Sequence, residues 1–78
     1  MTRLTRNPLA RIRIEAGFDT AQVACTALDI SRVHLLNVER GRAGASPRLI
    51  SNMASTYGVE PEIIVNAIRH SRRELLKR

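Results

Sequence analysis

A chain of 78 residues, 44% apolar and 26% charged, has room for one globular domain and not for two. Thirteen Lys and Arg against seven Asp and Glu leave a net charge of +6, which indicates a polyanionic partner without saying which. One Phe and one Tyr argue against a single-strand binder built on base stacking, one cysteine cannot form an internal disulfide, and no apolar run is long enough to span a membrane.

The basic charge is almost all arginine, with Lys77 the single lysine, and it is segmental. Residues 1–16 (Arg3, Arg6, Arg11, Arg13), 32–48 (Arg32, Arg40, Arg42, Arg48) and 69–78 (Arg69, Arg72, Arg73, Lys77, Arg78) are net positive, and the two stretches between them are net negative. A polyanion-binding face assembled from the three positive blocks is one reading. A set of solvated arginines that keep a small protein soluble is the plainer one.

No alternating Val/Ile/Thr-rich run predicts a strand, whereas helical spacing occurs five times. Asn7 and Pro8 open a first helix whose inner face is Leu9, Ile12 and Ala16, and Gly17 stops it. Thr20 caps a second that runs to about Leu28, with Ala24, Ala27 and Leu28 inward. Asp29-Ile30 reads as a turn, and Ser31 caps a third helix from Arg32 to Arg40, with Leu35 and Val38 inward and Leu36 at the margin. Gly41 ends it, and Gly41–Ala45 is the main loop. Ser46-Pro47 starts a fourth helix carrying Leu49, Ile50, Met53, Ala54 and Tyr57, which Gly58 stops. Glu60-Pro61 starts a fifth, with a stripe of Ile63, Ile64, Ala67 and Ile68 that Leu75 extends. That stripe is wider than one small core requires. Half of it is expected in the core and half at a seam between two copies.

Only a few residues separate the second and third helices. That is helix-turn-helix spacing, in which the second helix of the pair enters a DNA major groove. The first helix of such a pair needs small residues where the two cross, and Ala24 and Cys25 stand there. The turn needs a left-handed residue, and Asp29 is one of the few non-glycine types that tolerates one.

Gly17-Phe18-Asp19-Thr20-Ala21, Ala24-Cys25, Leu28-Asp29-Ile30-Ser31-Arg32 and Val38-Glu39-Arg40-Gly41, followed by Ser46-Pro47 and Tyr57-Gly58-Val59, together resemble the Xre/Cro, lambda-repressor-like helix-turn-helix family over roughly residues 7–65. The turn position is Asp29 where that family usually has Gly. Ala21 stands where it usually has a backbone-holding Gln, with Gln22 beside it.

The resemblance implies an all-α, compact five-helix domain over 1–78, with the motif at about 21–40 and the fifth helix, about 61–76, as a possible dimer element. It implies base contacts from Arg32, Val33 and Asn37, flanked by His34 and Leu36. The chemistry fits: Arg bonds guanine bidentately, Asn bonds adenine, and Val touches only a thymine methyl. Thr20, Gln22, Ser31, Arg40, Arg42, Ser46 and Arg48 would hold phosphates. Arg13 and Glu39 match a pair the family uses to orient the recognition helix rather than to stabilise it; a mostly solvent-facing version would be worth only ~0–1 kcal/mol. Ile63, Ile64, Ala67 and Ile68 would supply the dimer interface.

The expected protein is a cytoplasmic, homodimeric regulator that binds an inverted repeat in double-stranded DNA. It resembles phage Cro-like repressors, restriction–modification controllers and mobile-element regulators. No cofactor, metal, small-molecule ligand or enzymatic activity is expected: with one Cys and two separated His, no metal-ligand spacing exists. Cys25 reads as core rather than redox sensor. His34 reads as a groove-facing side chain and His70 as surface. Two rivals stay open from sequence. One is an antitoxin or other protein-interaction module on the same fold. The other is a nonspecific nucleic-acid or membrane-surface binder using the basic tail.

Overall fold

The computed structural model describes residues 7–76. They form α1 (Pro8–Glu15), α2 (Ala21–Leu28), α3 (Arg32–Glu39), α4 (Pro47–Tyr57) and α5 (Pro61–Leu76), with no strand among the described residues. Arg3, Arg6, Lys77 and Arg78 of the terminal basic blocks, and the side chain of Leu75, lie outside the described residues.

Local chemistry fixes both ends of these short helices. Asn7, Thr20, Ser31 and Ser46 hold extended backbone, and their side-chain oxygens accept from the N–H of Ala10, Val23, His34 and Leu49 at 3.1, 3.2, 3.0 and 3.1 Å. Losing one such cap costs ~1 kcal/mol. Each of the first four helices then ends in one turn type: the N–H of Phe18, Ile30, Arg42 and Val59 reaches the carbonyl five residues back, at 3.0, 3.1, 2.9 and 3.0 Å. The turn requires a left-handed residue just before the donor. Glycine supplies it three times and Asp29, at φ 58 and ψ 47, once.

The core gathers Leu9, Ala24, Cys25, Leu28, Leu35, Val38, Met53, Tyr57, Ile64, Ala67 and Ile68. Fully burying each large member contributes ~1.5–3 kcal/mol. α5 packs chiefly on α4 and α1, and α2 packs on α3 and α4. The only glycine whose side is closed is Gly41 (φ +80): a Cβ there would lie 2.8 Å from the backbone of Ser71 and Arg72, so the loop after α3 rests directly on α5.

Three expectations change. On α2 the inner face is Ala24, Cys25 and Leu28, and Ala27 is exposed. On α5 the expected interface residues Ile64, Ala67 and Ile68 are buried within the chain, because α4 and α1 cover adjacent sides of that helix. Of that set only Ile63 stays outside, 43% exposed. Changing Ile64 or Ile68 to a polar residue would therefore report on folding, not on assembly. Finally, the Arg13–Glu39 pair is buried rather than solvent-facing.

Candidate nucleic-acid interface

α2 and α3 are separated by Asp29, Ile30 and Ser31 alone. Asp29 N–H bonds to the Thr26 carbonyl at 3.3 Å and Ile30 N–H to the Cys25 carbonyl at 3.1 Å, so the chain reverses in one fixed step. Ile30 is half-buried against the core, and Ser31 caps α3 immediately. Cys25 is buried, and its thiol donates to the Gln22 carbonyl at 3.3 Å, a packing role within α2.

α3 has two unlike faces. Leu35, Val38 and Glu39 are buried. At ~100° per residue the opposite face is centred on Val33, Asn37 and Arg40, with Leu36 and His34 to either side. Exposure follows that geometry: Arg32, Val33, His34 and Arg40 are exposed, and Leu36 and Asn37 are half-buried. Val33 is 68% exposed, an apolar group that does nothing for the fold where it stands. All five expected base-contact residues thus lie off the core, Val33, Leu36 and Asn37 on the outer face and Arg32 and His34 at its two edges, each lining one of two flanking clefts.

The expected phosphate residues surround that face. Thr20, Gln22, Ser31, Arg40, Arg42, Ser46 and Arg48 are all exposed. The Thr20, Ser31 and Ser46 hydroxyls each accept one backbone N–H as caps, which leaves the O–H hydrogen free to donate outward. Two shallow clefts flank the start of α3. Gln22, Thr26, Asp29, Ser31 and Arg32 line one. Asp29, His34, Ser46, Arg48 and Asn52 line the other. Thr26 and Asn52 were not anticipated. Each lies four residues after an expected contact, Gln22 and Arg48, and so on the same helical face, which is the signal that would have found them.

A buried polar cluster holds the far end of α3. Arg13 Nε donates to Glu39 Oε2 at 2.8 Å, with the two side chains 8% and 2% exposed. The Arg13 Nη1 group donates to the Phe18 carbonyl at 2.8 Å. One guanidinium therefore joins α1, the α1–α2 link and the last turn of α3. Burial pushes the Glu39 carboxyl above its ordinary 4.5, and the Arg13 hydrogen bond and charge pull part of the way back. Tyr57 closes the cluster: its ring meets Phe18 at 5.7 Å between centroids. Its hydroxyl is pushed up to about 12, by burial first and then by the Glu39 charge.

The chain matches a family model described as a helix-turn-helix domain over residues 8–63. Searches of curated proteins and of solved structures found no match. The matched span runs from the start of α1 into the first turn of α5 and contains the whole α2-turn-α3 unit with its buried Arg13–Glu39 anchor. The chain belongs to the helix-turn-helix domain family.

Proposed function

We propose that this chain is a sequence-specific, DNA-binding transcriptional regulator of the Xre/Cro kind, working in the cytoplasm as a homodimer on an inverted-repeat operator. The observation that carries the reading is the outer face of α3. An arginine, an exposed valine and an asparagine stand off the core on a helix fixed at both ends, between clefts lined by Arg32 and Arg48. Arg32 would read guanine, Asn37 adenine and Val33 a thymine methyl. Thr20, Gln22, Ser31, Arg40, Arg42, Ser46 and Arg48 would set register through phosphates.

The dimer belongs to the reading on grounds of size. One chain measures 31 × 30 × 23 Å and carries a single α3, enough for one half-site. Two copies would reach successive major grooves ~34 Å apart. Among the described side chains of the α5 stripe, only Ile63 is available for the seam, in a cleft that Pro8, Arg11, Ile12, Asn66 and His70 also line. Regulation of the phage, restriction–modification or mobile-element kind, through the protein's own concentration, suits such a module.

Selection from a pool of randomised duplexes tests this. At ~150 mM salt the chain should prefer its selected sequence over random duplex by ~10³ or more. Arg32→Ala should relax the preference at one guanine by ~1–3 kcal/mol. Failure to select any sequence would refute the regulator reading, and an unchanged preference in Arg32→Ala would refute the assigned role of Arg32.

A further inference from the structure

The fold brings the basic end of α5 to the loop that follows the recognition helix. Gly41, just beyond α3, lies so close to α5 that a Cβ would meet Ser71 C, Ser71 O and Arg72 N at 2.8 Å. Arg40 and Arg42 flank that glycine, and both are exposed. On α5, Ser71 is buried beneath the contact, Arg72 is exposed beside it, and Arg69 and Arg73 are exposed farther round the helix. Arg69, Arg72, Arg73 and Leu76 line one shallow surface. His70 instead faces the α1 cleft, with Ile63 and Asn66. Arg72 therefore borders the contact with the loop after α3, and Arg69 and Arg73 continue its surface around the outward side of α5, between that contact and the α1 cleft.

From this we infer that the loop–α5 corner is a second phosphate-binding surface, in which Arg69, Arg72 and Arg73 extend the track of Arg40 and Arg42 along the backbone of the same duplex. Among the described residues, none of these five arginines makes a close ion pair, although the Arg40 charge acts on Glu39 at longer range. The nearest acid on α3, Glu39, is buried against Arg13, and Glu74 is the one acid on this part of α5. The partner is thus a polyanion of high charge density. Arg69 and Arg73 are separated by ~6 Å of helix rise, close to the axial advance over two nucleotide steps of one strand, ~7 Å. Duplex DNA is favoured over an anionic membrane because the corner adjoins the helix proposed to lie in the groove. The inference rests on that proposed reading.

The test uses the full chain, its Arg69→Ala/Arg72→Ala/Arg73→Ala variant and the corresponding triple lysine variant. Each is titrated against the selected duplex and against one fixed random-sequence duplex, from 50 to 200 mM salt. Three lost contacts, each with a log–log slope of ~0.9, mean that this rise in salt weakens wild-type binding about 40-fold more than it weakens the alanine variant. The lysine variant should keep the wild-type slope, since a point charge still neutralises phosphate. The ratio of selected to random affinity should be the same in all three, because phosphate contacts carry no sequence information. Equal slopes for wild type and the alanine variant overturn the inference. Equal slopes with lost binding to phosphatidylserine vesicles would overturn it in favour of a membrane. A wild type that shows no preference for the selected duplex would sink the regulator reading, while the slopes on the random duplex still decide the corner.

Discussion

Gly41→Ala should be the most damaging single-methyl change among the chain's left-handed glycines. Gly41 has φ +80, and a Cβ would come within 2.8 Å of three backbone atoms of α5. A comfortable carbon contact is ~3.5–4.0 Å, so the loop or α5 must move by ~0.7 Å or more. Neither has a flexible side-chain end to yield, because the atoms in the way are main chain. The left-handed conformation costs an L-residue ~1–2 kcal/mol, and forced overpacking adds ~1–3 kcal/mol. The sum, ~2–5 kcal/mol, is a large share of the ~4–12 kcal/mol expected for a domain of this length. Gly58→Ala is the control: its φ is +71, but nothing lies within 4 Å, so only the backbone cost applies. Urea denaturation of both variants separates the two terms, and in thermal melts each kcal/mol should lower Tm by ~4–8 °C. If the two variants lose equal stability within ~0.5 kcal/mol, the close approach of loop and helix does not exist as described.

Other outcomes follow from the same geometry. Glu39→Gln should cost about 3 kcal/mol, because it leaves the buried Arg13 charge without its counter-ion. The folded-state carboxyl is held above 4.5. Between 4.5 and that raised value the native state binds more protons than the unfolded one, so the stability Glu39 contributes falls as pH rises through the window. The Glu39→Gln penalty, measured by urea titration, should therefore be no smaller at pH 5 than at pH 8. A penalty that shrank on acidification would mean a carboxyl held below its ordinary value. At the turn, Asp29→Val should lose ~1–2 kcal/mol, since a branched side chain tolerates φ 58 poorly. Asp29→Gly should be neutral or stabilising by up to ~1 kcal/mol, and equal stabilities for the two would show that backbone strain is not what selects Asp29.

What could be read from the sequence was what local chemistry decides. The four caps at Asn7, Thr20, Ser31 and Ser46 and the left-handed Asp29 each depend on a side chain and its own few neighbours, and each occurs as expected. The outer face of α3 followed from its inner one. Phase and depth were less legible. Eight residues make barely two turns, which leaves the edge of α2's inner face loosely defined, and Ala27, read as inward beside Ala24 and Leu28, is exposed. The α5 stripe looked too wide for one partner because two helices, α4 and α1, cover it from adjacent sides. The burial of Arg13 and Glu39 depends on neighbours distant in sequence, and residue type alone marks such a pair for the surface. Nothing local in Gly41 announces that residues 71 and 72 lie against it.

The distant contacts matter most for α3 itself. An isolated eight-residue helix is unstable in water, so α3 cannot hold its own shape and takes its rigidity from what grips it. Its start is gripped locally, by the Asp29-Ile30 turn and the Ser31 cap. Its end is gripped from afar, by Arg13 on Glu39 and by α5 beneath Gly41. Side chains that discriminate bases need fixed origins, since ordering them during binding would subtract from the affinity gained. Two distant anchors at one end of a short rod therefore do more than stabilise the fold. On the proposed reading they set the angle at which Val33 and Asn37 leave it, and loosening either should blunt sequence preference even where folding survives.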